Sequence, residues 1–146
     1  MQITVTRIGR LLSESFASWR TATYAEMATH GFADIRPAHS PVFRYCAAEP
    51  QRTSDLARMA GMTKQSMSGL VAKLKDAGYV ELQPDPSDRR AQLVSLSAKG
   101  QLASQTLAEI STMLEQSLAA QIGDDALENL RNQLSVIAAN QAASEN

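Results

Sequence analysis

The sequence predicts a mainly α-helical fold that carries one small β-hairpin, and three observations lead there. Aromatic residues make up only 5 % of the 146 residues, while Ala, Leu, Ser and Gln are common, a balance that suits helices better than sheets. Apolar residues recur at three- and four-residue steps along most of the chain, the spacing of a helix face. After Gly78 that period drops to two, and two short alternating runs flank a turn of Pro, Asp and Ser. An apolar content of 44 % is ample for a packed core and argues against disorder.

The elements follow in order. A first helix is expected over 4–30, with Ile8, Leu11, Leu12, Phe16, Trp19 and Tyr24 along its apolar side and Gly31 as its stop. Pro37 suits the first turn of a second helix that runs to Ala48 and ends before Pro50. Thr53 is expected to N-cap a short helix, Ser54 to Met59, with Leu56 and Ala57 facing inward. Gly61 suits a left-handed turn, Met62 is its apolar residue, and Thr63 caps a further helix that reaches Ala77 before Gly78. Met67, Leu70, Val71 and Leu74 give that helix one apolar face. Two short helices joined by a tight glycine turn make a helix-turn-helix. Tyr79 to Leu82 and Gln92 to Leu96 then read as strands around a loop over 84–90 that ends in Arg89 and Arg90, a hairpin wing. From Ala98 a helix is striped by Leu102, Leu107, Ile110, Leu114 and Leu118, Gly123 and Asp124 break and recap it, and Leu127, Leu130, Leu134 and Ile137 stripe the last helix. Residues Gln141 to Asn146 are expected to fray. The fold class is therefore mainly α with a small β-hairpin wing: a winged helix-turn-helix flanked by N- and C-terminal helices.

The flanking helices carry more apolar surface than one small module can cover. A helix of about 25 residues is roughly 37 Å long, and the 3-4-3 spacing in the last helix is close to a coiled-coil seam. The chain is expected to be a single domain, 1–146, in which 4–30 and 98–141 are dimerisation helices. Residues 37–97 hold the second helix and the winged helix-turn-helix module. A homodimer is the expected assembly, because a two-fold copy covers the surplus stripes.

Charge and cysteine usage narrow the chemistry. The net charge is −1, which by itself does not suggest a polyanionic partner. Its distribution does: Arg52 to Lys99 holds eight Lys/Arg against five acids, a balance of +3, and the rest of the chain sums to −4. Cys46 is the only cysteine, so an internal disulfide and a cysteine-based zinc site are excluded, and its apolar neighbours read it as a packed residue. No apolar run is long enough to span a membrane, and the charged N-terminus does not read as a secretory signal, so a cytoplasmic location is expected. No catalytic constellation, metal motif or phosphate-binding glycine loop is present in the pattern, so neither an enzyme nor a cofactor is expected.

The outward face of the second short helix presents Lys64, Gln65, Ser66, Ser68, Gly69, Ala72 and Lys73. Short or polar side chains there let a helix approach base edges in the major groove of double-stranded DNA. Thr63, Lys64, Gln65, Ser66, Ser68 and Lys73 are the candidate DNA contacts of this helix, with Gln65 suited to adenine and Lys64 to guanine or phosphate. Lys73 and Lys75 lie farther along, toward the DNA backbone. Arg89 and Arg90 at the hairpin tip suit a minor groove. Arg89 is the expected groove contact, and Arg90 is expected to be partly structural, paired with Asp88 or Asp85.

These residues also carry a family resemblance. Thr53-Ser54-Asp55-Leu56-Ala57, Gly61-Met62-Thr63-Lys64-Gln65-Ser66-Met67 and Leu74-Lys75-Asp76-Ala77-Gly78-Tyr79-Val80 resemble the MarR (multiple antibiotic resistance regulator) family. So does the wing, Asp85-Pro86-Ser87-Asp88-Arg89-Arg90-Ala91, leading through Val94-Ser95-Leu96-Ser97 to Lys99-Gly100. The resemblance implies a homodimeric transcriptional regulator, mostly a repressor, on pseudo-palindromic DNA. It also implies release by a small, often phenolic, ligand bound between the dimerisation and DNA-binding parts. Trp19, Tyr24, His39, Phe43 and Tyr45 are the candidate pocket residues on helices that border this place. Family members that sense oxidants use a cysteine in the first helix, where this chain has none. Metal sensing needs a cluster that His30, His39, Asp34 and Glu26 do not supply in sequence. The competing reading is a winged-helix adaptor that binds protein and has no DNA sequence preference.

Overall fold

The structure is a computed structural model that describes residues 7–143. Its elements run α1 (Ile8–Thr29), a 3-10 turn (Pro37–His39), α2 (Ser40–Cys46), β1 (Gln51–Arg52), α3 (Thr53–Met59) and α4 (Lys64–Asp76). They continue with β2 (Val80–Asp85), β3 (Asp88–Leu96), α5 (Ala98–Ile122) and α6 (Asp124–Ala143). The chain divides into two compact units, Met1–Ile110 and Ser111–Asn146.

The core of the first unit is built where apolar periodicity is strongest. Met67, Leu70, Val71 and Leu74 of α4 are buried, with Leu56 and Ala57 of α3 and Val42 and Phe43 of α2. Each large side chain removed from water contributes roughly 1.5–3 kcal/mol. Tyr79, 1 % exposed, sits at the join of α4 and the sheet. Its ring meets Phe43 edge-on at 5.8 Å and Phe32 at 6.2 Å between centroids, geometries that aromatic quadrupoles favour. Its hydroxyl donates to Asp34 Oδ1 at 2.6 Å. Burial, with the Asp34 carboxylate behind it, raises the phenol pKa well above its ordinary value.

The sheet has three antiparallel strands in the order β1-β3-β2. Val80 pairs with Leu96 and Leu82 with Val94, so the buried Val80, Val94 and Leu96 share the core side. Two turn glycines adopt the left-handed conformation expected of them, Gly61 at φ +63° and Gly78 at φ +82°.

In the second unit, Ser111–Ile122 of α5 leads through Gly123 into α6. Arg131 Nη2 reaches Glu115 Oε2 at 2.9 Å and Arg131 Nε reaches Glu128 Oε2 at 3.3 Å. Leu130, Leu134, Val136 and Ile137 of α6 remain 39–58 % exposed. In the first unit Ile8, Leu11, Leu12 and Phe16 of α1 are 37–70 % exposed.

Several expectations change in detail. The first helix begins at Ile8; its expected residues 4–6 lie outside the described ones, as do Ser144 to Asn146 of the expected frayed end, whereas the helix continues to Ala143. The second helix opens as a 3-10 turn and ends at Cys46. Thr53 does not N-cap α3: Arg52 holds the cap position, with no side-chain cap bond. Arg52 is already fixed in the β1–β3 ladder opposite Leu93, so the strand, and not a threonine hydroxyl, sets where the helix starts. The strands run longer than expected: an Asp85–Asp88 pair brackets Pro86 and Ser87, and the register shift between Pro84 and Asp85 leaves Arg89, Arg90 and Ala91 without a pairing partner on β2.

Candidate nucleic-acid interface

Helix α4 begins with a well-made cap. Thr63 is extended (φ −68°, ψ 151°) and its Oγ1 accepts the Ser66 backbone N–H at 3.1 Å. The Thr63 hydroxyl donates in turn to Ser66 Oγ at 2.8 Å. Both residues are partly or fully open to solvent, yet their hydroxyls are partly committed to this cap. Lys64, Gln65, Ser68, Gly69, Ala72 and Lys73 are all exposed on the opposite side of α4 from its buried residues. A Cβ built on Gly69 would meet nothing within 4 Å. A shallow groove of about 300 Å³ runs beside this face, lined by Thr53, Ser68, Ala72, Lys75, Leu82 and Gln92 among others.

The far end of α4 is tied to the start of α5. Lys99 Nζ donates to the Ala77 carbonyl at 2.8 Å and lies 4.1 Å from the centre of the Tyr79 ring. Ser97 Oγ donates to the Gly78 carbonyl at 2.6 Å and accepts the Gly100 N–H at 3.1 Å. Gly100 fits because a Cβ there would lie 2.0 Å from the Tyr79 carbonyl oxygen.

At the wing, Arg89 and Arg90 are both exposed, and neither side chain has an ion pair among the described residues. The expected pairing of Arg90 with Asp88 or Asp85 is corrected by the geometry. Asp88 Oδ1 accepts the backbone N–H of Arg90 at 3.0 Å, so it shapes the chain and not the guanidinium. Asp85 is taken by Arg52, whose Nε donates to Oδ2 at 2.6 Å, and Arg52 Nη2 donates to Ser87 Oγ at 3.0 Å. Asp85 Oδ1 accepts the Ser87 N–H at 2.8 Å and the Ser87 hydroxyl at 2.7 Å. The Ser87 hydrogen bonds, then Arg52, hold the Asp85 carboxyl below its ordinary pKa. Arg52 was not among the candidate site residues. Its only signal in sequence is an arginine ahead of Thr53-Ser54-Asp55 and an acid 33 residues later, which no local pattern links.

The charge of the module is thereby redistributed. Arg52 is neutralised by Asp85, Arg58 faces Asp55 at 3.3 Å, and Lys99 caps a helix end. Lys64, Lys73, Lys75, Arg89 and Arg90 have no ion pair among the described residues.

The candidate ligand-pocket residues are distributed over α1, the 3-10 turn and α2. Phe43 is buried in the aromatic core against Tyr79. The Tyr45 hydroxyl donates to the Met59 carbonyl at 3.3 Å and ties α2 to the end of α3. Trp19 and Tyr24 are half-buried, and burial raises the Tyr24 pKa. His39 Nδ1 accepts the Arg36 N–H at 3.0 Å, and burial lowers its pKa. Cys46 is 5 % exposed, and burial pushes its thiol pKa up to about 11.

Comparison with known proteins gives a family match over part of the chain. Residues 33–91 match the MarR family. The transcriptional activatory protein BadR of Rhodopseudomonas palustris is 32 % identical over 66 residues, 45 % of this chain and 38 % of BadR, so the match spans well under half of that relative. A MarR transcriptional regulator from Methanosarcina mazei Go1 superposes with a TM-score of 0.79 at 22 % identity, over 93 % of this chain and 96 % of its own. The transcriptional repressor CouR, bound to a 23-mer DNA duplex, superposes with a TM-score of 0.76 at 22 % identity, over 90 % of this chain and 92 % of its own. At these identities the structural likenesses establish the fold.

Proposed function

We propose that this chain, whose residues 33–91 match the MarR family and whose fold is shared with a MarR transcriptional regulator from Methanosarcina mazei Go1, is a sequence-specific, double-stranded DNA-binding transcriptional regulator of that family. The observation that carries the reading is the exposed polar face of α4, with Thr63, Lys64, Gln65, Ser66, Ser68 and Lys73, next to a wing whose Arg89 and Arg90 have no ion pair among the described residues. In this reading α4 enters the major groove, its first turn faces base edges, and the wing arginines take the minor groove. The name of CouR, a repressor bound to DNA, and that of BadR, an activatory protein, lend the DNA-binding part support. They differ in the sign of regulation; we take repression as the reading for this chain.

The whole chain acts as one MarR-like domain in this proposal. The exposed apolar residues of α1 and of α6 are covered in a homodimer, which spaces two α4 helices about one turn of DNA apart, roughly 10–10.5 bp between half-site centres. A small-molecule effector binds near Trp19, Tyr24, His39, Phe43 and Tyr45 and alters that spacing. Selection from a random duplex pool tests the central claim: a pseudo-palindromic consensus is expected. Absence of any preferred sequence at low salt would reject it and favour the adaptor reading. On the selected site Gln65→Ala is expected to change preference at one base pair by about 1–3 kcal/mol. An equal loss on every sequence would show that Gln65 only positions the helix.

A further inference from the structure

Residue Arg52 lies at the root of the module, where the two-residue strand β1 ends and α3 begins. Its backbone is fixed opposite Leu93 of β3, and its guanidinium spans β3 to reach the turn at the end of β2. There it holds two residues at once, Asp85 through Nε at 2.6 Å and Ser87 through Nη2 at 3.0 Å. Asp85 is 6 % exposed, sits at a register shift in the β2–β3 ladder, and spends its second oxygen on the N–H and hydroxyl of Ser87. Both carboxylate oxygens are therefore occupied, and the two-residue turn is bonded back to the body of the protein.

A two-stranded ribbon is marginal on its own and free to twist about its base. Strand β1 pairs with β3 only at Val94 and Leu93, so it does not support the outer part of the wing. The Arg52 side chain supplies what the short strand lacks, and the planar guanidinium fork fixes direction as well as distance. Arg89 and Arg90 start two residues beyond Ser87 and carry no ion pair of their own among the described residues. The direction in which they project follows from where the turn is held.

We infer that Arg52 is the positioning residue of the wing: through Asp85 and Ser87 it aims Arg89 and Arg90, and so controls DNA affinity without contacting DNA. The inference rests on the DNA-binding function proposed above. It makes a prediction whose sign runs against simple electrostatics. Asp85→Asn removes a negative charge near a phosphate backbone and should strengthen binding if charge alone mattered. As part of the clamp, it should weaken binding.

The test uses the full chain, a duplex selected from a random pool, and low salt so that weakened variants remain measurable. Arg52→Ala and Asp85→Asn should each weaken binding about tenfold. In an Arg89→Ala/Arg90→Ala background the same two substitutions should change affinity by less than about twofold, since the clamp acts through those arginines. Arg52→Lys should recover little, because an ammonium cannot bridge Asp85 and Ser87 as a fork. If Arg52→Ala proves unfolded in thermal melts, Ser87→Ala carries the same comparison with a smaller loss. Asp85→Asn binding as well as wild type or better, while Arg52→Ala binds less, would show Arg52 contacting phosphate directly and overturn the inference. So would penalties of unchanged size in the double-alanine background. A wild-type protein with no preferred duplex overturns the DNA-binding reading itself, an outcome separate from both.

Discussion

Asp85 and Cys46 are both buried, and the difference in their partners sends their pKa values in opposite directions. Asp85 is buried with hydrogen bonds from Arg52 Nε and from the Ser87 N–H and hydroxyl to its carboxylate, so its charged form is favoured and its pKa lies below the ordinary value. The unfolded chain then binds the proton more readily than the folded one over the interval between the two pKa values. The contribution of Asp85 is present above about pH 4, the ordinary carboxylate range, and is lost as pH falls through the lowered folded value. Thermal melts from pH 7 to pH 3 should show the wild type losing its advantage over Asp85→Asn only at the acid end; an advantage constant across that range would refute the assignment. Cys46 has no such ionic partner, and burial pushes its thiol pKa up to about 11. Little thiolate exists near neutral pH, and access is closed. Labelling by a disulfide reagent at about pH 7.5 should therefore be slow in the folded protein and fast in denaturant, and mild peroxide should leave DNA binding unchanged. Fast labelling of the native protein would show the site to be open.

At the scale of elements, α4 and its junction with α5 place opposite demands on two glycines. Gly69 lies on the exposed face of α4 with open space around its missing Cβ. Gly69→Ala should stabilise the protein by roughly 0.5–1 kcal/mol, the helix-propensity gain, and should weaken DNA binding if α4 lies against base edges. A Cβ on Gly100 would overlap the Tyr79 carbonyl oxygen at 2.0 Å, and Gly100→Ala should destabilise by about 1–3 kcal/mol or more. Chemical denaturation read beside DNA titration separates the two; a Gly69→Ala protein with unaltered affinity would remove α4 from the groove. Most elements were legible in the sequence because their signals are local. The buried set Met67, Leu70, Val71 and Leu74 is the one its 3.6-residue spacing indicates. Strand β1 was not legible, since two residues show no period, and without it Thr53 looked like a cap.

Across the whole molecule, the unmet apolar surface is the main property to explain. Phe16 at 64 %, Ile8 at 70 % and Val136 at 58 % exposure are costly to leave in water on flanking helices. If they are covered by a second copy, stability becomes concentration-dependent by mass action. Melting temperature should rise with protein concentration, and light scattering should give twice the chain mass. Leu130→Asp combined with Leu134→Asp should lower both the mass and the DNA affinity, while the exposed Arg131–Glu115 pair should contribute less than about 1 kcal/mol. A wild type that scatters as a monomer at micromolar concentration would reject the dimer.

Sequence alone determined the elements other than β1 and the two faces of α4, because glycine turns and apolar periodicity act over a few residues. It also determined that cations concentrate between Arg52 and Lys99. Which of those cations are unpaired was decided by the tertiary structure. Arg52 meets Asp85 across 33 residues and Lys99 meets Ala77 across 22. Arg90, expected to share an acid, keeps its guanidinium unpaired among the described residues. Ion pairing depends on distance in space, and side chains that far apart in the chain are brought together only when the strands between them have found their register.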